Sequence, residues 1–288
     1  MNEKRSSFSG NIGFILAAAG SAVGLGNLWR FPYLAAQYGG GIFLFVYLVL
    51  LFTFGFSLLI LEIAIGRKTK VSSINAYGKL NKKFGWMGIL SLLIPVLILP
   101  YYSVIGGWVI KYMTVYLTGQ GTAAAGSGYF NEYIGQTASP LFTFFLFVTI
   151  TVVVVAFGVE KGVEKVSKIM MPVLVLISLF VAIYSLTIPG AVDGFIYYIK
   201  PNFADFGIET IVAAMGQLFY SMSLAMGIMI TYGSYMRKED NLESSVRQIE
   251  VFDTAIAFLS GMMIVPAVFA FSGGDPTKIN AGPGLMFQ

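Results

Sequence analysis

Long stretches without charge dominate the chain. In seven of them, hydrophobic residues continue for 18 or more positions with few or no charged side chains. A helix needs about 20 such residues to cross roughly 30 Å of hydrocarbon, so each stretch predicts a membrane span. The predicted spans lie at residues 12–36, 42–66, 86–117, 139–159, 169–190, 209–236 and 252–273. The pattern therefore predicts an all-α membrane protein, with residues 1–288 forming a single transmembrane domain.

The composition supports this interpretation and narrows the function. Of the 288 residues, 57% are hydrophobic and 11% are charged, whereas soluble domains carry about 25% charged residues. The chain has no cysteine and no histidine, which excludes disulfides, thiol or imidazole chemistry, and a Ser-His-Asp triad. No catalytic constellation is visible, so we do not expect an enzyme.

Basic residues predict the orientation in the membrane. If the N-terminus is cytoplasmic, 14 of the 18 Lys and Arg residues fall on the cytoplasmic side, as the positive-inside rule requires. Arg30, Lys111, Lys200 and Lys278 are the exceptions. With seven spans, residues 274–288 form an extracellular tail. We therefore interpret the net charge of +4 as a consequence of topology and expect no nucleic-acid partner.

The first span contains helix-breaking residues where continuous helix would be expected, in "AAAGSAVGLGNLWRFPY". If the helix unwinds between Ala22 and Gly26, its first half ends in free carbonyls and its second half begins with free N–H groups. Carbonyls suit a small cation, and the N–H groups of Leu25 and Gly26 suit a carboxylate. Asn27 adds a hard oxygen ligand. The alternative is that Gly20 and Gly24 form a packing face between helices.

The sixth span has a similar weak point, since Ser221, Ser223, Ala225 and Gly227 occupy its middle. Two interrupted spans at matching places in two halves predict an inverted-repeat transporter fold with discontinuous helices 1 and 6, and a substrate site near the midplane.

Four further side chains are candidates for the same site. Tyr102 lies four residues after Ile98, so the two share a face of the third span. The alternative for Tyr102 is an ordinary core tyrosine. Glu62 and Asp253 are carboxylates near span ends, and an intramembrane carboxylate suggests function. The alternative for both is an interfacial position in contact with water.

Five segments together resemble the signature segments of the neurotransmitter:sodium symporter family: "GSAVGLGNLWRFPY", "YGGGIF", "YYSVIGGW", "GQLFYSMSLAMGIMITYGSY" and "FDTAIAFLSG". They occur in family order along the whole chain, which is similar to a bacterial-type amino-acid transporter. The resemblance implies two inverted five-helix repeats followed by two peripheral helices. By this match the first repeat covers about residues 10–190, and about residues 208–273 form the start of the second repeat. The chain then contains seven of the usual twelve spans.

The resemblance implies sodium-coupled symport of a small hydrophobic or aromatic amino acid by alternating access at the cell membrane. It assigns the substrate to Ala22, Gly24, Leu25, Gly26, Ile98, Tyr102, Tyr220, Ser221, Ser223 and Met226. It assigns the first sodium ion to Ala22, Asn27, Ser221 and Asp253, and the second to the carbonyls of Gly20 and Val23.

The resemblance also assigns gates and a support. Arg30 matches the outer-gate arginine with Tyr220 as an aromatic lid, while Arg5 and Tyr235 match parts of the cytoplasmic gate. Glu62 matches a residue that supports the unwound backbone of span six. The fixed charge of Asp253 and the lack of a hydroxyl at Ala257 predict that chloride is not required.

The family pattern has further spans after the position that corresponds to residue 288. Their absence from this sequence leads to three expectations. Arg30 would lack a partner, because its acidic counterpart belongs to the tenth span of the family. The chain alone would be inactive in transport, or would need a second polypeptide that supplies the missing spans. The alternative function is a non-transporting membrane fragment or interaction subunit.

Overall fold

The computed structural model describes residues 7–126 and 128–275, together with residues 278, 282, 284 and 287. Arg5 lies outside the described residues. Within them the regular structure is helical, apart from one isolated bridge between Gly40 and Pro201. The α-helices are α1 (Asn11–Ala22), α2 (Phe31–Gln37), α3 (Gly41–Leu50), α4 (Phe56–Thr69), α5 (Ser73–Leu80), α6 (Met87–Leu117), α7 (Gly121–Ala124), α8 (Tyr129–Gly135), α9 (Ala138–Ala156), α10 (Lys165–Ser185), α11 (Ala191–Ile199), α12 (Ile208–Ser221), α13 (Ile228–Tyr235) and α14 (Leu242–Phe271).

Short π-helical and 3₁₀-helical segments lie next to several of these α-helices. Three are π-helical, and they extend α2, α3 and α10 into longer continuous helices. They lie at Gly26–Arg30, Leu51–Gly55 and Val159–Glu164, and two 3₁₀ turns lie at Lys82–Phe84 and Phe203–Asp205.

Five continuous helical stretches of the described chain are long and apolar enough to cross a membrane: Gly41–Thr69, Lys82–Leu117, Ala138–Ala156, Val159–Ser185 and Leu242–Phe271. A sixth is a bent pair, Asn11–Ala22 and Gly26–Gln37, which meet at 54°. The remaining predicted span is divided into α12 and α13, of 14 and 8 residues, and neither reaches the length of a span alone. The count of seven therefore stays a prediction.

The last helix begins ten residues earlier than the hydrophobic pattern predicts. Asn241 caps it, with its side chain accepting a hydrogen bond from Ser244 N at 2.9 Å. Its first turns carry Glu243, Arg247 and Glu250, which a search for uncharged stretches excludes although they are helical. Asp253 consequently lies well inside a 30-residue helix.

Helix α14 is central to the part of the molecule that forms the site. It packs against α1, α2, α4, α10 and α11. Helices α13 and α4 pack closely because both present glycine: a Cβ on Gly66 would overlap the Ile230 carbonyl, and one on Gly233 would overlap the backbone of Ile63. Residues next to the breaks in the first and sixth predicted spans contact the same side chain of α14, Asp253.

Candidate functional site

The first helix is broken at two residues. Helix α1 ends at Ala22, Val23 is extended with φ −70° and ψ 117°, and helical structure resumes at Leu25. The break is shorter than the predicted segment from Ala22 to Gly26. Asn27 stabilises it, because its Oδ1 accepts a hydrogen bond from Gly24 N at 3.0 Å.

The break leaves backbone groups unpaired on both sides. Within the described residues, neither Leu25 N–H nor Gly26 N–H donates a hydrogen bond, and the carbonyls of Gly20 and Val23 accept none. A Cβ on Gly20 would lie 3.4 Å from Met171 Sδ, at ordinary side-chain distance. Because no backbone approaches these glycines closely, the structure does not support the alternative of a packing face.

Asp253 connects the two broken helices. Its Oδ1 accepts hydrogen bonds from Asn27 Nδ2 at 2.9 Å and from Ser221 Oγ at 3.0 Å, and its Oδ2 lies 3.0 Å from the same Ser221 Oγ. Asp253 and Asn27 are fully buried and Ser221 is 1% exposed. The alternative of an interfacial Asp253 in contact with water is therefore wrong. All these donors are neutral, so they leave a full negative charge that favours a cation.

Tyr47 belongs to this cluster and was not predicted. Its side chain is fully buried, and its hydroxyl lies beside Asp253 and Ser221. The sequence signal was a phenol in the otherwise apolar run "IFLFVYLVLLF". A buried phenol hydroxyl needs a polar neighbour, and the polar groups beside this one are those of Asp253 and Ser221.

The second break separates α12 from α13 over residues 222–227. Three residues there have left-handed backbone: Ser223 with φ 53°, Ala225 with φ 62° and Gly227 with φ 70°. A non-glycine residue in this region costs about 1–2 kcal/mol. Glu62 contributes to holding the segment, because its Oε1 accepts a hydrogen bond from Ala225 N at 2.6 Å. Glu62 is only 9% exposed, so its interfacial alternative also fails.

A cavity of about 410 Å³ lies beside the first break. Tyr102 and Tyr220 meet in its wall, and the Tyr102 hydroxyl donates to the Tyr220 hydroxyl at 3.0 Å. The lining residues are Gly20, Ser21, Ala22, Val23, Gly24, Leu25, Gly26, Leu28, Tyr102, Ile105, Gly106, Val109, Phe147, Tyr220 and Ser223.

Two predicted substrate residues, Ile98 and Met226, do not line this cavity. On α6 the lining residues Tyr102, Ile105 and Val109 continue the face to which Ile98 belongs, and Ile98 lies one turn before them, outside the lining. Met226 lines a separate cavity of about 300 Å³ with Ser73 and Ser91.

Arg30 has partners within the chain, so the expectation that it lacks one was wrong. Its Nη1 donates to Gln217 Oε1 at 2.7 Å, and its guanidinium lies 5.3 Å from the centre of the Tyr220 ring. Gln217 is fully buried and also donates to the Gly26 carbonyl at 2.8 Å. Gln217 was missed, although an amide inside a predicted span is a usable signal.

At the opposite end, Tyr235 contacts the segment that precedes α1. Phe8 N donates to the Tyr235 carbonyl at 3.4 Å, and the two rings meet edge to face at 6.3 Å. Ser9 N donates to Glu164 Oε2 at 2.9 Å, and Lys168 Nζ lies 2.6 Å from Glu164 Oε1. The predicted role of Arg5 falls on the residues that are not described.

The family model for the sodium:neurotransmitter symporter family matches residues 5–132 and 129–287. An uncharacterised sodium-dependent transporter of Bacillus subtilis strain 168, YhdH, is 37% identical over 99% of this chain and 63% of its own length. The human sodium- and chloride-dependent GABA transporter 2 is 27% identical over 99% of this chain and 55% of its own length.

A solved structure shows the same fold. MhsT in complex with L-phenylalanine superposes with a TM-score of 0.89 at 39% identity, covering 98% of this chain and 65% of MhsT. The chain thus spans less than two thirds of the length of these relatives. The matched segments, the two broken helices and the superposition agree, and this chain belongs to the sodium:neurotransmitter symporter family.

Proposed function

We propose that the chain takes part in sodium-coupled symport of an amino acid by alternating access. The observation that carries this proposal is the position of Asp253. Its buried carboxylate holds Asn27 from the first break and Ser221 from the second. A cation bound there would interact with both broken helices at once, so its binding would be linked to their relative arrangement.

The first sodium ion would bind the carbonyl of Ala22 and the side chains of Asn27, Ser221 and Asp253. Asn27 Oδ1 already accepts one hydrogen bond from Gly24, and a carbonyl oxygen has a second lone pair for a cation. The second sodium ion would bind the carbonyls of Gly20 and Val23, which the end of α1 leaves unpaired.

The substrate would place its carboxylate against the free N–H groups of Leu25 and Gly26 and the hydroxyl of Tyr102. Ala22, Gly24, Ser221 and Ser223 complete the polar side. Its side chain would occupy the apolar part of the cavity, toward Ile105, Val109 and Phe147 under the Tyr220 ring. MhsT is described in complex with L-phenylalanine, which supports a hydrophobic or aromatic amino acid.

The gates would lie at the two ends of this arrangement. Arg30 and Tyr220 would form the outer gate, in which Gln217 ties Arg30 to the Gly26 carbonyl. Tyr235 would serve the cytoplasmic gate, with Arg5 as its partner. Glu62 would support the unwound residues 222–227 through Ala225 N.

Chloride would not be required, although the GABA transporter above is chloride-dependent by name. The buried charge of Asp253 would supply the negative charge, and Ala257 is buried with only a methyl group. Substrate binding that is equal in chloride and in gluconate would support this proposal. Binding that requires chloride would contradict it.

The N-terminus would face the cytoplasm and the C-terminal residues of this chain the outside. Contacts between Ser9 and basic side chains support this orientation. Arg237 Nη2 donates to the Ser9 carbonyl at 2.5 Å, and Lys168 Nζ lies 3.0 Å from Ser9 Oγ, so a basic residue of α10 and one that follows α13 both contact Ser9, before α1.

The function is tested with purified chain in proteoliposomes and in detergent. We expect sodium, but not choline, to increase binding of radiolabelled phenylalanine, and Asn27→Ala to abolish that increase. Uptake measured with the same preparation separates transport from binding. Sodium-dependent binding without uptake would favour the alternative of an interaction subunit or a requirement for a second polypeptide, and no sodium response would contradict the proposal.

A further inference from the structure

A polar cavity of about 530 Å³ lies at the junction of α9 and α10, away from the residues proposed to bind sodium and substrate. Both helices belong to stretches that are long and apolar enough to cross a membrane. Because both stretches end at this junction, the cavity lies at the level of the lipid headgroups. Its lining residues are Ser9, Phe157, Glu160, Lys161, Glu164, Lys165 and Lys168.

Two of the three lysines in the lining are available to a ligand. Lys168 is engaged, because its Nζ lies 2.6 Å from Glu164 Oε1 and 3.0 Å from Ser9 Oγ. Lys161 and Lys165 are exposed, and neither forms an ion pair with any residue that the structure describes. The cavity therefore presents two unpaired ammonium groups side by side.

The carboxylates of the lining do not cancel this charge. Glu164 is 1% exposed, and it already accepts a hydrogen bond from Ser9 N at 2.9 Å besides its ion pair with Lys168. Glu160 is the one other carboxylate in the lining, against the two unpaired lysines. Three lysines and two glutamates leave a net positive charge, which favours an anion.

Apolar side chains continue from the cavity along both helices. Phe157, which lines the cavity at the end of α9, is 67% exposed, and Val155 precedes it with its side chain also exposed. On α10, Val166 and Ile169 are exposed as well. A soluble anion would use only the lysines, whereas an amphiphile with an anionic head and apolar chains matches both parts of this surface.

We propose that this cavity binds the headgroup of an anionic phospholipid. The phosphate would pair with Lys161 and Lys165, and the acyl chains would lie along Phe157 and Ile169. A lysine ammonium binds phosphate as a point charge, and each lysine near a membrane surface strengthens the attraction of anionic lipid. A zwitterionic headgroup carries its own cation, which the lysines repel, so the cavity should select anionic lipid.

The test is native mass spectrometry of the full chain in detergent, titrated in the absence of sodium and amino acid. The probes are dioleoylphosphatidylglycerol and dioleoylphosphatidylcholine. We expect one saturable position for phosphatidylglycerol, half-occupied at a concentration about tenfold lower than for phosphatidylcholine. Replacement of both lysines, Lys161→Gln with Lys165→Gln, should raise that concentration about tenfold for phosphatidylglycerol and leave phosphatidylcholine binding unchanged. Lys161→Gln alone, with a rise of about threefold, decides the question if the double variant does not fold.

The matched control replaces Lys82 and Lys83 by glutamine, because these are two exposed lysines of a 3₁₀ turn outside the cavity. This control should leave the concentration unchanged. An equal rise in both double variants would overturn the proposal and show attraction to basic surface in general. Equal binding of the two lipids would overturn it too. Inorganic phosphate is added in a separate arm, and displacement of phosphatidylglycerol by phosphate alone would assign the cavity to a soluble anion instead.

Discussion

Ser221 Oγ lies 3.0 Å from both carboxylate oxygens of Asp253, so the last residue of α12 is fixed to the middle of α14. The same carboxylate holds Asn27 at the break after α1. Both interruptions of helical structure are therefore tied to one buried charge. Any ion that binds this charge changes the forces on two broken helices together.

Removal of the Asn27 amide should weaken both the fold and the sodium response. Asn27→Ala removes the hydrogen bonds to Gly24 N and to the backbone and side chain of Asp253. We expect a loss of about 2–4 kcal/mol in the free energy of unfolding. Sodium titration of thermal unfolding measures both effects. The control is Asn81→Ala, which removes an exposed turn cap, and equal effects of the two would contradict the assignment.

Opposite changes in the second break should have opposite effects on stability. Ala225 and Gly227 have similar left-handed backbone, with φ 62° and 70°. Ala225→Gly should stabilise the chain by about 1 kcal/mol, because glycine adopts this region without strain.

Gly227→Ala should destabilise the chain by at least as much as Ala225→Gly stabilises it, since the new Cβ would lie 2.7 Å from the side chain of Ser73. Thermal unfolding of the two variants and the unmodified chain is the measurement. A shift in the same direction for both would show that backbone strain at residues 222–227 is not what decides their stability.

Glu62 should act as a clamp on residues 222–227. Glu62→Ala removes the acceptor of Ala225 N–H, whereas Glu62→Gln retains an oxygen at that place. We expect amide hydrogen exchange in residues 222–227 to accelerate at least tenfold in Glu62→Ala and much less in Glu62→Gln, which corresponds to about 1.4 kcal/mol of local opening. Equal protection in all three proteins would argue against the clamp.

The two tyrosines of the cavity wall should be energetically coupled. Tyr102→Phe and Tyr220→Phe each remove one hydroxyl of the 3.0 Å hydrogen bond. A double-mutant cycle on thermal stability should give a coupling energy of about 0.5–1.5 kcal/mol. A coupling near zero would indicate that the hydroxyls bind water or substrate independently.

The ion pair between Glu164 and Lys168, which contacts Ser9, should stabilise the start of α1. Glu164 is 1% exposed and its partner Lys168 is 42% exposed, so Lys168→Met leaves a buried carboxylate with Ser9 as its remaining partner. We expect a loss of about 1–3 kcal/mol in the free energy of unfolding. Lys165→Met, at an exposed position of the same helix, is the matched control and should be close to neutral.

Local signals in the sequence were enough to locate both breaks. Glycine and small polar residues in an apolar span disfavour continuous helix in a way that depends only on neighbouring residues. For this reason the interruption near Gly24 and the one around Ser223 and Ala225 could be predicted. Asp253 and Glu62 were likewise visible as carboxylates in apolar surroundings, although their burial was not.

Partners that come from distant parts of the chain could not be predicted in the same way. Tyr47 and Gln217 are single polar residues in apolar stretches, and their importance follows from which atoms lie beside them. Ile98 and Met226 have suitable side chains, but Ile98 lies one turn before the residues of α6 that line the cavity of the first break, and Met226 lines a separate cavity.

The sequence by itself determined that this chain is a helical membrane protein with two interrupted spans, because hydrophobic length and helix-breaking residues act locally. Only the tertiary structure decided that one carboxylate, Asp253, holds both interruptions and that Tyr47 lies beside it. Those relationships depend on how α3, α12 and α14 pack, and packing is set by contacts between residues far apart in the chain.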